Sequence, residues 1–248
     1  MEFTEALAAE GVVCAVGAGG KKSTLYALAE RLDRAVVTAT VRIPPFAEYV
    51  ADLVVTEDPA AAIRAADEGD WPLGVVPEQE RPDRYLGYDT DVVEAMAAAA
   101  SDQDVDAVLV KADGARMRDF KAPAEREPQL PADADTVLPV AAVDVVGEPL
   151  TEERVHRVER VAALTGLDPG DTITAEAVAT VLAHEEGGRK GVPEGATVVP
   201  VLNKVDDDTL AETGRDVAEA IHARTEVPRV VLTSHAREDG PLVNVVEA

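Results

Sequence analysis

Positive charge is what this chain has least of: 23 lysines and arginines stand against 48 aspartates and glutamates, a formal net charge of −25 over 248 residues. A nucleic-acid backbone would be repelled by such a surface, so no nucleic-acid partner is expected. Self-repulsion on this scale destabilises a compact state unless salt screens it, and the Debye length falls to about 3 Å at molar salt. The composition resembles that of halophilic proteins from high-salt cytoplasms. Cysteine is nearly absent too. Cys14 alone excludes an intrachain disulfide or cysteine cluster, and among valines, with no base beside it, it reads as a core residue and not a nucleophile. No apolar run is long enough to span a membrane, and the acidic N-terminus lacks a basic segment followed by an apolar stretch. The expectation is a cytoplasmic, soluble protein with no membrane partner.

Lysine is scarce, occurring only at 21, 22, 111, 121, 190 and 204, so each one has some claim to a specific task. Two of them lie in Gly11 to Leu25, GVVCAVGAGGKKSTL, where an apolar strand meets a glycine-rich turn and then a helix. Strand, tight turn and helix in that order aim backbone N–H groups and the positive end of the helix dipole at one point, where an anion belongs. The turn approximates the P-loop pattern G-x-x-x-x-G-K-S/T, in two alignments. With Gly20-Lys21 as the G-K pair, Lys22 takes the hydroxyl position; with Lys22-Ser23 as the K-S pair, Lys21 replaces the second glycine. Either way Gly17, Gly19 and Gly20 line the phosphates, a lysine reaches them, and Ser23 or Thr24 offers a hydroxyl to Mg²⁺.

The rest of the chain alternates strand-like and helix-like segments. The predicted class is α/β, a P-loop NTPase-like domain over 1–248, with a mostly parallel sheet and helices on both faces. A small helical insertion is expected at about 150–195, with helices starting at Thr151 and Thr174. In open α/β sheets ligands sit at the carboxyl ends of strands, which singles out three strand ends. Thr38, Thr40 and Arg42 leave the second strand as candidates for phosphate or Mg²⁺. Asp113 follows the strand Val108 to Val110, where P-loop proteins hold Mg²⁺. Beyond it Arg116, Arg118 and Lys121 form a cationic set for an anionic second substrate. Val198 to Asp206, VVPVLNKVD, delivers Asn203, Lys204 and Asp206, the N-K-x-D arrangement of guanine-binding proteins. Its aspartate accepts two hydrogen bonds from the guanine edge, and Thr233 to Ala236 follows where a second base contact is made.

These stretches together resemble the YqeC-like family, the selenium-dependent hydroxylase accessory proteins. The likeness rests on GAGGKKSTL, on ADGARMRDFKAPAEREPQLP, on LTEERVHRVE with TGLDPGD, and on His184 through GGRKGVPEGATVVPVLNKVD. Two departures stand out: Lys111 occupies a position where a glutamate is expected before Ala112-Asp113, and the doubled Lys21-Lys22 lengthens the loop. The resemblance implies nucleotide binding and assistance in the maturation of molybdenum hydroxylases. The leading expectation is therefore a Mg²⁺-dependent enzyme that binds and hydrolyses GTP or ATP, with Lys21, Lys22 and Asp113 catalytic and Ser23 and Asp113 on the metal. The expected partners are a molybdenum hydroxylase or its cofactor-maturation proteins. A nucleotide-responsive adaptor without chemistry, or a kinase or ligase of a small anion, are the alternatives.

Overall fold

The computed structural model describes residues 1–248. The first half contains α1 (Phe3–Ala6), β1 (Gly11–Gly17), α2 (Lys21–Ala29), β2 (Ala35–Ala39), β3 (Asp52–Val55), α3 (Pro59–Ala65), β4 (Leu73–Val76), a short hairpin of β5 (Gln79–Arg81) and β6 (Arg84–Tyr85), α4 (Thr90–Ser101) and β7 (Ala107–Lys111). The second half contains β8 (Phe120–Lys121), β9 (Thr136–Ala142), β10 (Val155–His156), α5 (Val158–Thr165), α6 (Ala175–Ala183), β11 (Thr197–Val198), β12 (Val201–Asn203), α7 (Asp208–His222), β13 (Arg229–Thr233) and β14 (Leu242–Glu247). No helix is long and apolar enough to cross a membrane.

The main sheet runs β14-β13-β12-β9-β1-β7-β2-β4-β3, with β11 also on β9. Every pairing in it is parallel except β13 with β14. The inner strands are apolar throughout because helices cover both faces. Along β1, Val13 and Ala15 join the layer that holds Leu25 and Leu28 of α2. Val12, Cys14 and Val16 join the opposite layer, with Val93 and Met96 of α4. Burial pushes the Cys14 thiol pKa far up, in keeping with an inert core group. A third apolar layer gathers α5, α6 and α7 against β9, β12 and β13. The α/β class and the mostly parallel sheet agree with the sequence-based expectation.

Three details differ. The helix expected from Thr151 begins at Val158, because Val155 and His156 instead pair in parallel with Phe120 and Lys121. The second helix does start at Thr174, whose side chain accepts from Ala177 N at 3.1 Å. Glu57 to Asp70, whose aspartates and alanines have the composition of one solvated helix, is helical only over α3, where Asp58 caps the first turn. The antiparallel edge strand β14 lies in a stretch with no strong alternation and was not anticipated.

Because β1, β7, β9, β12 and β13 are parallel, Gly17, Lys111, Ala142, Asn203 and Thr233 all end at one edge of the sheet. Most of the candidate residues named from sequence follow those ends.

Candidate functional site

The glycine turn is made by close backbone approach. Gly17, at φ +88°, runs beside β9, and a Cβ there would lie 2.2 Å from the Val140 carbonyl oxygen. Gly20, at φ +145°, is the residue before α2, and a Cβ there would lie 2.1 Å from Asn203 Nδ2. Only glycine permits both positions. Ala18 N donates to Val140 O and Gly19 N to Arg118 O at 3.0 Å, whereas the N–H groups of Gly20, Lys21, Lys22 and Ser23 donate to no protein acceptor. No side chain caps α2. Four donors and a helix dipole thus converge with nothing negative upon them.

Helix geometry selects among the residues that follow. Lys21 is buried at the first helical position; its ammonium hydrogen-bonds the Gly17 carbonyl and lies 2.7 Å from Asp113 Oδ1. Thr24, three residues on, shares that face and is buried, with its hydroxyl 3.4 Å from His235 Nε2. Ser23, two residues on, faces the other way and is exposed. Lys22 is half-buried, and burial together with the Arg84 charge lowers its pKa. The alignment that makes Gly20-Lys21 the G-K pair is the one that places a lysine in the turn.

Asp113 is 1% exposed and faces two ammonium groups. Its Oδ2 accepts from Gly17 N at 2.9 Å and lies 2.8 Å from Lys121 Nζ, opposite Lys21 on Oδ1. Lys121 also donates to Glu127 Oε2 and the Gly114 carbonyl, both at 2.7 Å. Glu127 in turn receives both arms of Arg157, at 2.8 and 3.0 Å. Burial opposes its ionisation, but the Arg157 hydrogen bonds and the Lys121 charge hold its pKa down at about 2. Glu127 and Arg157 were not named from sequence; the signal was weak, a carboxylate and an arginine thirty residues apart among many charges. Beside the chain of ions, a cavity of about 10 Å³ is lined by Gly17, Asp113, Lys121 and Pro128, room for about one water and no larger ligand.

Lys111 is buried at the end of β7 with a single acceptor, the Arg42 carbonyl at 2.9 Å. Burial, reinforced by Lys21, lowers its pKa to about 7. The neighbouring candidates are otherwise occupied: Thr38 donates to Val75 O, Thr40 to Gln129 O, and Arg42 forms a two-armed pair with Glu80. Of the expected anion-binding set, only Lys121 enters the buried cluster. Arg116 is exposed, Arg118 half-buried, and neither pairs with a carboxylate. Burial and the Arg157 charge lower the His156 pKa to about 4.

At the β12 end, Asn203 braces the turn, donating to Gly19 O at 2.8 Å and accepting from Thr233 Oγ1 at 3.0 Å. Lys204, at φ +62°, reaches Asp119 at 2.5 Å and Asp144 at 3.2 Å. Exposed Asp206 accepts from the Ser234 hydroxyl at 2.5 Å.

The residues expected to hold Mg²⁺ do not fit a resident divalent cation. Ser23 points away, Lys22 takes the hydroxyl position, both oxygens of Asp113 already face ammonium groups, and nowhere in the protein do three His, Cys, Asp or Glu side chains gather as a metal site.

Comparison with known proteins agrees with the likeness of the motifs. A family model described as YqeC protein matches residues 13–159. The uncharacterized protein YqeC of Escherichia coli (strain K12) is 29% identical over 198 residues, 78% of this chain and 75% of that protein.

Proposed function

The chain belongs to the YqeC family, and on that premise we propose that it binds the phosphates of GTP or ATP on the Gly17–Ser23 turn and acts as a nucleotide-responsive adaptor in molybdenum hydroxylase maturation. One observation carries the reading. Of the four charged side chains that are buried, three are lysines (21, 111 and 121) and one is an aspartate (113), in a chain whose net charge is −25. Burying surplus positive charge is costly unless an anion neutralises it. The surplus lies beside the unclaimed N–H groups of α2, so a polyphosphate satisfies both at once.

Asn203 holds the turn for that ligand, and Asp206 presents a carboxylate for the guanine edge once Ser234 yields it. The adaptor reading is favoured over hydrolysis, kinase or ligase chemistry by the state of Asp113, since a carboxylate held by two lysines and an N–H is not free to orient or deprotonate a nucleophile. Titration calorimetry with GTP and ATP at molar KCl tests the proposal. The wild type should bind, and Lys21→Ala combined with Lys22→Ala should lower affinity by more than about 100-fold. Asp206→Ala should erase any preference for GTP. Tight binding by the double variant would sink the phosphate site; steady phosphate release in the presence of a molybdenum hydroxylase would overturn the adaptor reading in favour of hydrolysis.

A further inference from the structure

Nucleotide sites of the strand–turn–helix kind ordinarily place a divalent cation between a carboxylate at a strand end and a hydroxyl in the first helical turn, where it bridges the outer phosphates. In this chain the carboxylate is taken up by ammonium groups and the hydroxyl position is a lysine. The strand-end carboxylate, Asp113, carries Lys121 on Oδ2 at 2.8 Å and Lys21 on Oδ1 at 2.7 Å. The side chain of Lys121 is 0% exposed, and its three donors have three acceptors in Asp113, Glu127 and Gly114. It is a fixed charge, held as rigidly as a bound ion. The hydroxyl position holds Lys22, while Thr24, on the same helix face as Lys21, is turned to His235. Lys111, buried and with no carboxylate partner, adds a further lysine at the same strand end.

We propose that this site takes its nucleoside polyphosphate free of metal, because the strand-end carboxylate that would hold a divalent cation is spent on Lys21 and Lys121 and Lys22 replaces the metal-binding hydroxyl. The inference rests on the nucleotide reading above. Four lysines (21, 22, 111 and 121) face two carboxylates (Asp113 and Glu127), so a triphosphate meets net positive charge without help, and an accompanying divalent cation adds repulsion. The metal complex of a nucleotide then binds no better than the bare anion, and excess Mg²⁺ competes with the protein for the phosphates.

The test is calorimetric titration of the whole chain at molar KCl with ATP, GTP and inorganic triphosphate, in EDTA and in excess Mg²⁺. Affinity in EDTA should equal or exceed that in Mg²⁺. Strengthening by Mg²⁺ of more than about tenfold would overturn the metal-free site while leaving nucleotide binding intact. No binding of any of the three anions in either buffer would overturn the nucleotide reading, and this inference with it. In Lys22→Thr, which restores the hydroxyl on a half-buried helix position, Mg²⁺ should strengthen triphosphate binding by about tenfold. A variant that folds to the wild-type melting temperature yet ignores Mg²⁺ would overturn the role given to Lys22.

Discussion

Two pairs of strand ends on the same sheet edge carry the two halves of the candidate site, and they are built by opposite means. Beyond the ends of β1 and β7 Lys21, Asp113 and Lys121 are buried, and each partner is held by the next, on through half-buried Glu127 to Arg157. At the ends of β12 and β13 the buried polar residues, Asn203, Thr233 and Ser234, are uncharged, while the charges of Lys204 and Asp206 lie nearer solvent. A buried ion has no alternative partner, so the first half is preorganised and sensitive to any deletion. A surface ion exchanges its partner for water at little cost, so the second half is adaptable. Under the proposed nucleotide reading, the rigid half would hold the polyphosphate and the open half would read the base.

The contrast is broken most severely at Asp113. Asp113→Ala strands two buried ammonium groups and should cost about 3–5 kcal/mol, read as a fall in melting temperature; a loss under about 1 kcal/mol would show that the lysines find other partners. Lys111 should act in the other direction. Its folded pKa of about 7 lies below the ordinary 10.5, so between those values the unfolded chain binds the proton more tightly and wild-type stability rises with pH. Lys111→Met should stabilise the protein by about 1–3 kcal/mol at pH near 7 and flatten that rise, which denaturation at several pH values would measure. An unchanged slope would show that Lys111 is solvated.

The smaller effects sharpen the comparison. Asn203→Ala removes two hydrogen bonds at a buried position and should cost about 1–3 kcal/mol, with weaker triphosphate binding because the turn loses its brace. Lys204→Ala should cost no more than about 1 kcal/mol, since its ammonium is partly solvated. Equal losses at 203 and 204, measured by denaturation, would erase the difference between a buried brace and a surface pair.

Much of this edge was legible beforehand because local pattern encodes it. Val12 to Val16, Val108 to Val110 and Val201-Leu202 are apolar runs that suit strands covered on both faces, and each leads into the residues that leave the sheet edge. The glycines at 17 and 20 were readable as a turn, and the structure adds why glycine is needed there: Val140 and Asn203, distant in sequence, come within 2.2 Å and 2.1 Å of where a Cβ would stand. Less was legible where a residue's task is set by a distant partner. Thr38, Thr40 and Arg42 had the chemistry of a phosphate site but are taken up by Val75, Gln129 and Glu80. Thr151 had the signature of a helix start, yet the pairing of Val155 and His156 with β8 delays the helix to Val158.

By itself the amino-acid sequence determined the α/β alternation, the order of the strand-end motifs and the scarcity of lysine that drew attention to Lys21, Lys22, Lys111 and Lys121, because periodicity and composition are properties of short segments. Only the tertiary structure decided that Lys21 and not Lys22 enters the turn, that Lys121 is the fixed partner of Asp113, and that buried charge is positive in so acidic a chain. The reason is that burial and ion pairing depend on which side chains exclude water from one another, and those that do so here come from the start of α2, the end of β7, β8 and the loop after it, and the start of α5, up to about 140 residues apart in the chain and adjacent only after the sheet has formed.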